Sequence, residues 1–191
     1  MGKLVVTEFV TLDGVIEDPG GSEQTPNGGW AFRFDRGEEG ERFKLEELRA
    51  SDAQLLGRVT YEGFAAAWPS MNADEFGAKM NEMPKFVVSR TLAEPTWQNT
   101  TVLDGDLAAD VRGVKERFAG DVLVAGSGTL VRALLELDLV DALHLMVYPV
   151  VLGSGKRLFA GGAGATPFEL VRAGQSGSVA ILELERAPAE R

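Results

Sequence analysis

The chain has 191 residues, 45% of them hydrophobic and 25% charged, enough for one domain with its own core. Its formal charge of −10 argues against a nucleic-acid or anionic-membrane surface, either of which needs a basic face. No apolar run approaches the roughly 20 residues that span a bilayer, and the absence of cysteine removes disulfides, a thiolate nucleophile and Cys metal sites.

The start, MGKLVVTEFV, lacks a long apolar segment and a small-residue cleavage site, so a cytoplasmic protein is expected. Residues 3–11, KLVVTEFVT, read as a strand that Glu8 interrupts. A Gly-, Pro-, Asp- and Asn-rich stretch follows, LDGVIEDPGGSEQTPNGG, and reads as a long functional loop with Trp30, Phe32 and Phe34 anchoring its far end. Glu38–Ala50 is helical, with Phe43, Leu45 and Leu48 as its apolar stripe. A short strand at Asp52–Gly57 leads to a helix from Thr60 to Ala67, which stops before Pro69. Asn72–Met83 is a further helix, Lys85–Ser89 a buried strand and Thr101–Leu103 a short strand. Leu107–Phe118 carries apolar residues at helical spacing, and Asp121–Ala125 is a strand. Gly126-Ser127-Gly128 then turns into a helix over Thr129–Leu137. Ala142–Leu152 reads as a long apolar strand. Phe168–Ala173 and Val179–Glu185 form a terminal hairpin around the loop Gly174–Ser178. Alternating strands and helices predict an α/β fold: a mostly parallel central sheet flanked by helices, closed by a C-terminal antiparallel hairpin, in a single domain spanning 1–191.

Three strand ends carry phosphate-binding chemistry. In DVLVAGSGTLVRALLEL, residues 121–137, an apolar strand enters a glycine turn that opens a helix. The turn lets a ligand approach the backbone, and the helix N-terminus offers free N–H groups and about half a unit of positive charge. It is neither the full dinucleotide fingerprint nor a P-loop, and glycine at such a turn also serves packing. In LLGRVTYEGF, Arg58 can hold a phosphate bidentately and Thr60 can donate at the start of a helix. Equally, Thr60 reads as an N-cap and Arg58 as a solvated charge. In FVVSRTL, Ser89 and Arg90 follow a buried strand. Ligands of open α/β sheets bind at the carboxyl ends of strands, so the three together point to an anionic nucleotide.

These segments, with LVVTEFVTLDGVI and the run that ends in MVYPVVLGSGKRLF, resemble the dihydrofolate reductase-like superfamily over nearly the whole chain. The resemblance is strongest to stand-alone relatives of the RibD C-terminal domain, the reductase half of the riboflavin-biosynthesis deaminase–reductase. It implies an eight- or nine-stranded sheet and NADPH bound across the strand ends. Gly57, Arg58 and Thr60 would hold the adenosine-side phosphates, and Ser89 and Arg90 the adenine and 2′-phosphate. Gly126, Ser127, Gly128, Thr129 and Leu130 would form the pyrophosphate turn, and Gly14, Val15 and Ile16 the loop over the nicotinamide. Two arginines near the ribose favour NADPH over NADH, where an acid would prefer the free hydroxyl. Tyr148, Pro149, Leu152 and Gly153 match the substrate pocket, and Trp30 borders the cleft.

As catalytic candidates, Asp13 could face the nicotinamide pocket or be a turn residue. Glu41 falls near the pterin-binding acid of dihydrofolate reductases by counting back from Gly57, with Asp35, Glu38 and Glu39 as competitors. All four also suit the first turn of a solvated helix. His144 reads as a packed strand residue. Lys156 and Arg157 reach either a substrate phosphate or solvent. With no cysteine for a deaminase zinc, the expectation is a cytoplasmic homodimer that reduces a small heterocycle, as 5-amino-6-(5-phosphoribosylamino)uracil reductase does. The alternatives are dihydrofolate reductase proper, a flavin enzyme, and a non-catalytic nucleotide-binding or regulatory protein of the same fold.

Overall fold

The computed structural model describes residues 1–159 and 164–188. Apolar and β-branched runs alternate with helix-forming runs, and the chain follows them. The order is β1 (Leu4–Thr11), α1 (Gly37–Ala50), β2 (Ser51–Gly57), α2 (Arg58–Ala67), α3 (Glu75–Glu82), β3 (Lys85–Val88), β4 (Thr100–Leu103), α4 (Leu107–Arg117), β5 (Asp121–Val124), α5 (Gly128–Glu136), β6 (Ala142–Tyr148), β7 (Phe168–Ser176) and β8 (Val179–Arg186). The described strands make one eight-stranded sheet in the order β4-β3-β2-β5-β1-β6-β8-β7. From β4 to β6 every pairing is parallel, while β8 runs antiparallel to both β6 and β7.

Both faces of the sheet are covered, as a parallel sheet requires. Side chains alternate along β1, so Leu4 and Val6 pack with Val131 and Leu134 of α5 and Val111 of α4. Val5 joins the opposite layer, with Leu48 of α1, Tyr61 of α2 and Met80 of α3. A third cluster collects Trp30, Phe43, Met146, Tyr148 and Ile181 beside β6 and β8.

Four details differ from the sequence reading. Phe32 does not anchor the long loop; it is 78% exposed, while Trp30 is fully buried and Phe34 lies against Tyr148. The strand expected over Ala142–Leu152 stops at Tyr148, because Pro149 has no N–H for the ladder. The helix expected from Asn72 begins at Glu75, where Asp74 caps it by accepting a hydrogen bond from the Gly77 N–H at 2.8 Å. The hairpin turn is only Gly177-Ser178: Gly174 and Gln175 pair as strand, and Gly177 takes the turn at φ +53°.

The long loop after β1 is built around one carboxylate. Asp18 is buried and accepts from the Glu23 and Thr25 N–H groups and the Thr25 hydroxyl, each at 3.0 Å. Burial works against its charge, but these donors hold its pKa below the ordinary value. The Trp30 indole N–H closes the loop on the Glu17 carbonyl at 2.8 Å. Asp18→Ala leaves three donors without their acceptor, a cost of about 1–3 kcal/mol. The expected result is cleavage after Glu23 by a glutamate-specific protease at a rate raised at least about tenfold, since the loop then opens locally. An unchanged rate would show that the loop is held elsewhere.

Candidate functional site at the strand ends

The sheet order sets the site. β3, β2, β5 and β1 are neighbours and parallel, so their carboxyl ends share one rim. From β1 the chain first builds the sheet outward through β2, β3 and β4. It then returns as β5 beside β1 and departs the other way through β6. The crevice at such a reversal is where open α/β sheets take their ligands.

Gly57, at the end of β2, donates its N–H to the Gly126 carbonyl at 3.0 Å. A Cβ on Gly57 would lie 2.6 Å from Ser127 Oγ. Gly126 adopts φ +97°, and a Cβ there would come within 2.9 Å of Thr60 Oγ1 and 3.5 Å of Glu8 Oε1. The β2 end, the start of α2, the turn after β5 and the middle of β1 therefore meet at one point. Ile16 completes it from the long loop: its Cδ1 lies 3.0 Å from where a Cβ on Gly128 would be.

Two helices begin at this rim. α2 has Gly57 as its N-cap and no side-chain cap, which leaves its first N–H groups available. α5 has Ser127 as its N-cap, with Oγ accepting from the Leu130 N–H at 3.5 Å. Both partial positive charges thus fall beside the Gly126 turn. Thr60 lies inside the first turn of α2 rather than at its cap. Arg58 is half-exposed and paired with Glu62 at 2.9 Å, one turn on. An exposed pair of this kind is worth under about 1 kcal/mol, so the guanidinium is free to exchange partners. Ser89 is buried, and its hydroxyl accepts from the Thr91 and Leu92 N–H groups at 3.1 and 3.0 Å; Arg90 beside it is exposed. Thr129 is exposed and accepts from Arg132 at 3.3 Å, while the Leu130 side chain is core.

The substrate-side candidates are more dispersed. Gly14 has φ +80°, and Val15 is buried and bridges to Arg157. Asp13 acts as a clip. It accepts from the Thr11 hydroxyl at 2.7 Å, the Gly153 N–H at 2.9 Å and the Leu152 N–H at 3.2 Å, with Arg157 at 3.6 Å. The Thr11 bond leads these causes in bringing its pKa down to about 2, so it remains ionised and is a poor source of a proton. Glu41 is exposed and forked to Arg36 at 2.5 and 2.7 Å. Trp30 and Tyr148 meet edge to face, with ring centroids 5.2 Å apart, inside the third core cluster. Pro149 and Gly153 are exposed and Leu152 is half-buried. His144 lies 2.8 Å from Glu47, which Lys44 and Thr7 also engage, in a polar cluster between α1 and the sheet. Lys156 pairs with Glu17 at 3.2 Å.

The sequence reading passed over Glu8. Among the described residues its Oε1 and that of Gln54 are the buried side-chain oxygens with no partner. Burial pushes the Glu8 carboxyl up to about 8, against a lesser opposing effect of Lys44. The available signal was a lone acid in a strand of apolar and threonine residues.

The profile of the RibD C-terminal domain matches residues 2–182, and the chain belongs to that family. Among curated proteins it is 28% identical over 162 residues to the uncharacterized protein YyaP of Bacillus subtilis, covering 82% of this chain and 80% of that one. Its fold is similar to that of a putative riboflavin biosynthesis protein from Shewanella sp. PV-4, with TM-score 0.77 at 19% identity, covering 98% and 100% of the two chains. It is also similar to the dihydrofolate reductase of Enterococcus faecalis, solved with NADP(H), with TM-score 0.62 at 14% identity and 98% of each chain covered. The dihydrofolate reductase-like α/β fold read from the sequence is thus shown, and the relatives make an oxidoreductase of riboflavin-pathway type the function class it suggests.

Proposed function

We propose that this protein is an NADPH-dependent reductase of a small heterocyclic substrate, of the 5-amino-6-(5-phosphoribosylamino)uracil reductase type. One observation carries the reading: the glycine turn at Gly126 and the N-termini of α2 and α5 lie side by side at the sheet's switch point. That donor set suits a pyrophosphate, because backbone N–H groups and two helix dipoles favour an anion where a side chain would obstruct it. When bound, NADPH supplies the hydride. The α2 and α5 N–H groups bind its phosphates, Gly57 and Gly126 keep the floor low, and Ile16 with the long loop excludes water from the reacting end.

Arg58 and Arg90 are the cations that read the 2′-phosphate. Arg58→Ala is expected to weaken NADPH at least about tenfold and NADH less than threefold in a fluorescence titration, since a bidentate charge-assisted contact is worth about 1.5–3 kcal/mol. Equal loss for both nucleotides would remove Arg58 from that role. Turnover with a panel of pyrimidine and pterin substrates tests the reaction: tight NADPH binding with no oxidation on any of them would favour a binding or regulatory role.

The reading includes a homodimer. β7 is an edge strand, and its Leu170 and Val171 are each 59% exposed. Exposed apolar edges invite pairing. Light scattering is expected to give twice the 20.5 kDa chain mass; a monomer at micromolar concentration would end that part of the proposal.

A further inference from the structure

Glu8 stands where the central strand of the sheet passes under the nucleotide cleft. β1 and β5 pair through Val6 and Val124, and two residues further along that register Glu8 falls beside Gly126. Gly126 carries no side chain, and Glu8 Oε1 lies 3.5 Å from where its Cβ would be, with Thr60 Oγ1 at 2.9 Å from the same point. The oxygen is closed to solvent and makes no hydrogen bond within the protein. A buried polar atom without a partner costs stability and needs a reason. It lies beside the Gly126 turn, where a ligand approaching the backbone would supply the missing partner.

We propose that Glu8 is a binding residue of the dinucleotide site, and that its carboxylic acid form donates a hydrogen bond to a pyrophosphate oxygen lying over Gly126. The inference rests on the dinucleotide reading given above. A carboxylate in this place would repel the ligand, whereas a neutral acid supplies a second donor beside the Thr60 hydroxyl without the bulk of a cation. The surroundings favour the neutral form. Lys44 of α1 is the charged group that acts on Glu8, and it is held by Thr7 and Glu47. From α2 the neighbour is the Thr60 hydroxyl, from the β5–α5 turn it is Gly126, and in β6 the residue in register is apolar Leu145. Burial consequently dominates and brings the carboxyl to about 8.

The sign of the pH dependence follows. Below about pH 8 the free protein already carries the proton, so binding neither gains nor loses one. Above that pH the free protein has released it, and the ligand must bring it back. The affinity for NADPH is therefore expected to be flat from pH 6 to 7.5 and to fall toward tenfold per pH unit above about 8.5. Lys85 titrates in the same window, because burial brings it down to about 8; Glu8→Gln keeps Lys85 and removes only the acid.

The test is a fluorescence titration with NADPH between pH 6 and 10, on the wild-type protein, Glu8→Gln and Glu8→Ala. A falling wild-type affinity above pH 8.5, a pH-independent affinity in Glu8→Gln and a loss of about tenfold at pH 7 in Glu8→Ala support the proposal. Parallel profiles for wild type and Glu8→Gln, whether flat or falling, overturn it while leaving dinucleotide binding intact. Absence of NADPH binding in all three proteins at every pH overturns the dinucleotide reading and this inference with it. Isotope-edited carboxyl titration of the free protein is a check independent of ligand: a Glu8 midpoint below pH 6 also overturns the proposal.

Discussion

Gly126→Ala is expected to abolish measurable NADPH binding, a loss of at least about a hundredfold, while the protein still folds. Gly126 sits at φ +97°, in a region that L residues rarely adopt, and holding an alanine there costs about 1–3 kcal/mol. The added methyl would lie 2.9 Å from Thr60 Oγ1 and 3.5 Å from Glu8 Oε1. Glu8 stays at an ordinary contact distance, so the Thr60 hydroxyl is the group that has to turn away. The methyl would occupy the space beside the turn, where the ligand's pyrophosphate has to approach the backbone. The strain lowers the melting temperature by a few degrees, on the scale of about 2–4 °C per kcal/mol for a chain of this size. Binding and stability are read separately, by fluorescence titration and by thermal unfolding. An alanine variant that binds NADPH as wild type does would show that the glycine turn serves packing alone.

The second large effect is on stability. Trp30→Ala should lower the melting temperature by roughly 10–15 °C, corresponding to about 3–5 kcal/mol lost. Trp30 is fully buried, meets Tyr148 edge to face at 5.2 Å and donates its indole N–H to the Glu17 carbonyl. Its removal opens a cavity beneath the long loop and deprives a carbonyl of its donor at the same time. Against a total stability of about 5–15 kcal/mol for an ordinary domain, that is a large fraction. Trp30→Phe separates packing from substrate contact: it restores most of the volume, so most of the melting temperature should return. A Phe variant that matches wild type in melting temperature but shows a raised KM would place Trp30 at the substrate instead.

The chemistry of the reading is divided unequally between protein and cofactor. Hydride transfer asks the protein for distance, orientation and exclusion of water, which backbone N–H groups, glycines and the Ile16 side chain can provide. An obvious acid–base pair is not needed for that step. Asp13 and Glu41, the acids singled out from the sequence, are each engaged: Asp13 by Thr11, Leu152 and Gly153, and Glu41 by Arg36. Glu8, which the sequence shows only as an interruption in a strand, is the acid the fold leaves unpaired at the rim.

Order along the chain was enough to determine the elements and the class of fold, because strand and helix periods and glycine turns are local properties. Each of the three strand-end segments carries its chemistry in its own few residues, so Arg58, Ser89 and the Gly126 turn were legible before any contact was known. What the amino-acid order did not contain was which strand ends are neighbours and which partners each side chain finds. The insertion of β5 between β2 and β1 brings Gly57, Thr60, Gly126 and Glu8, residues more than 100 positions apart at the extremes, to within contact of one point. Pairing likewise decided that Asp13 is a clip and Trp30 a core residue, and burial is what raises the pKa of the Glu8 carboxyl. Those outcomes depend on desolvation and on long-range register, and both exist only once the sheet has closed.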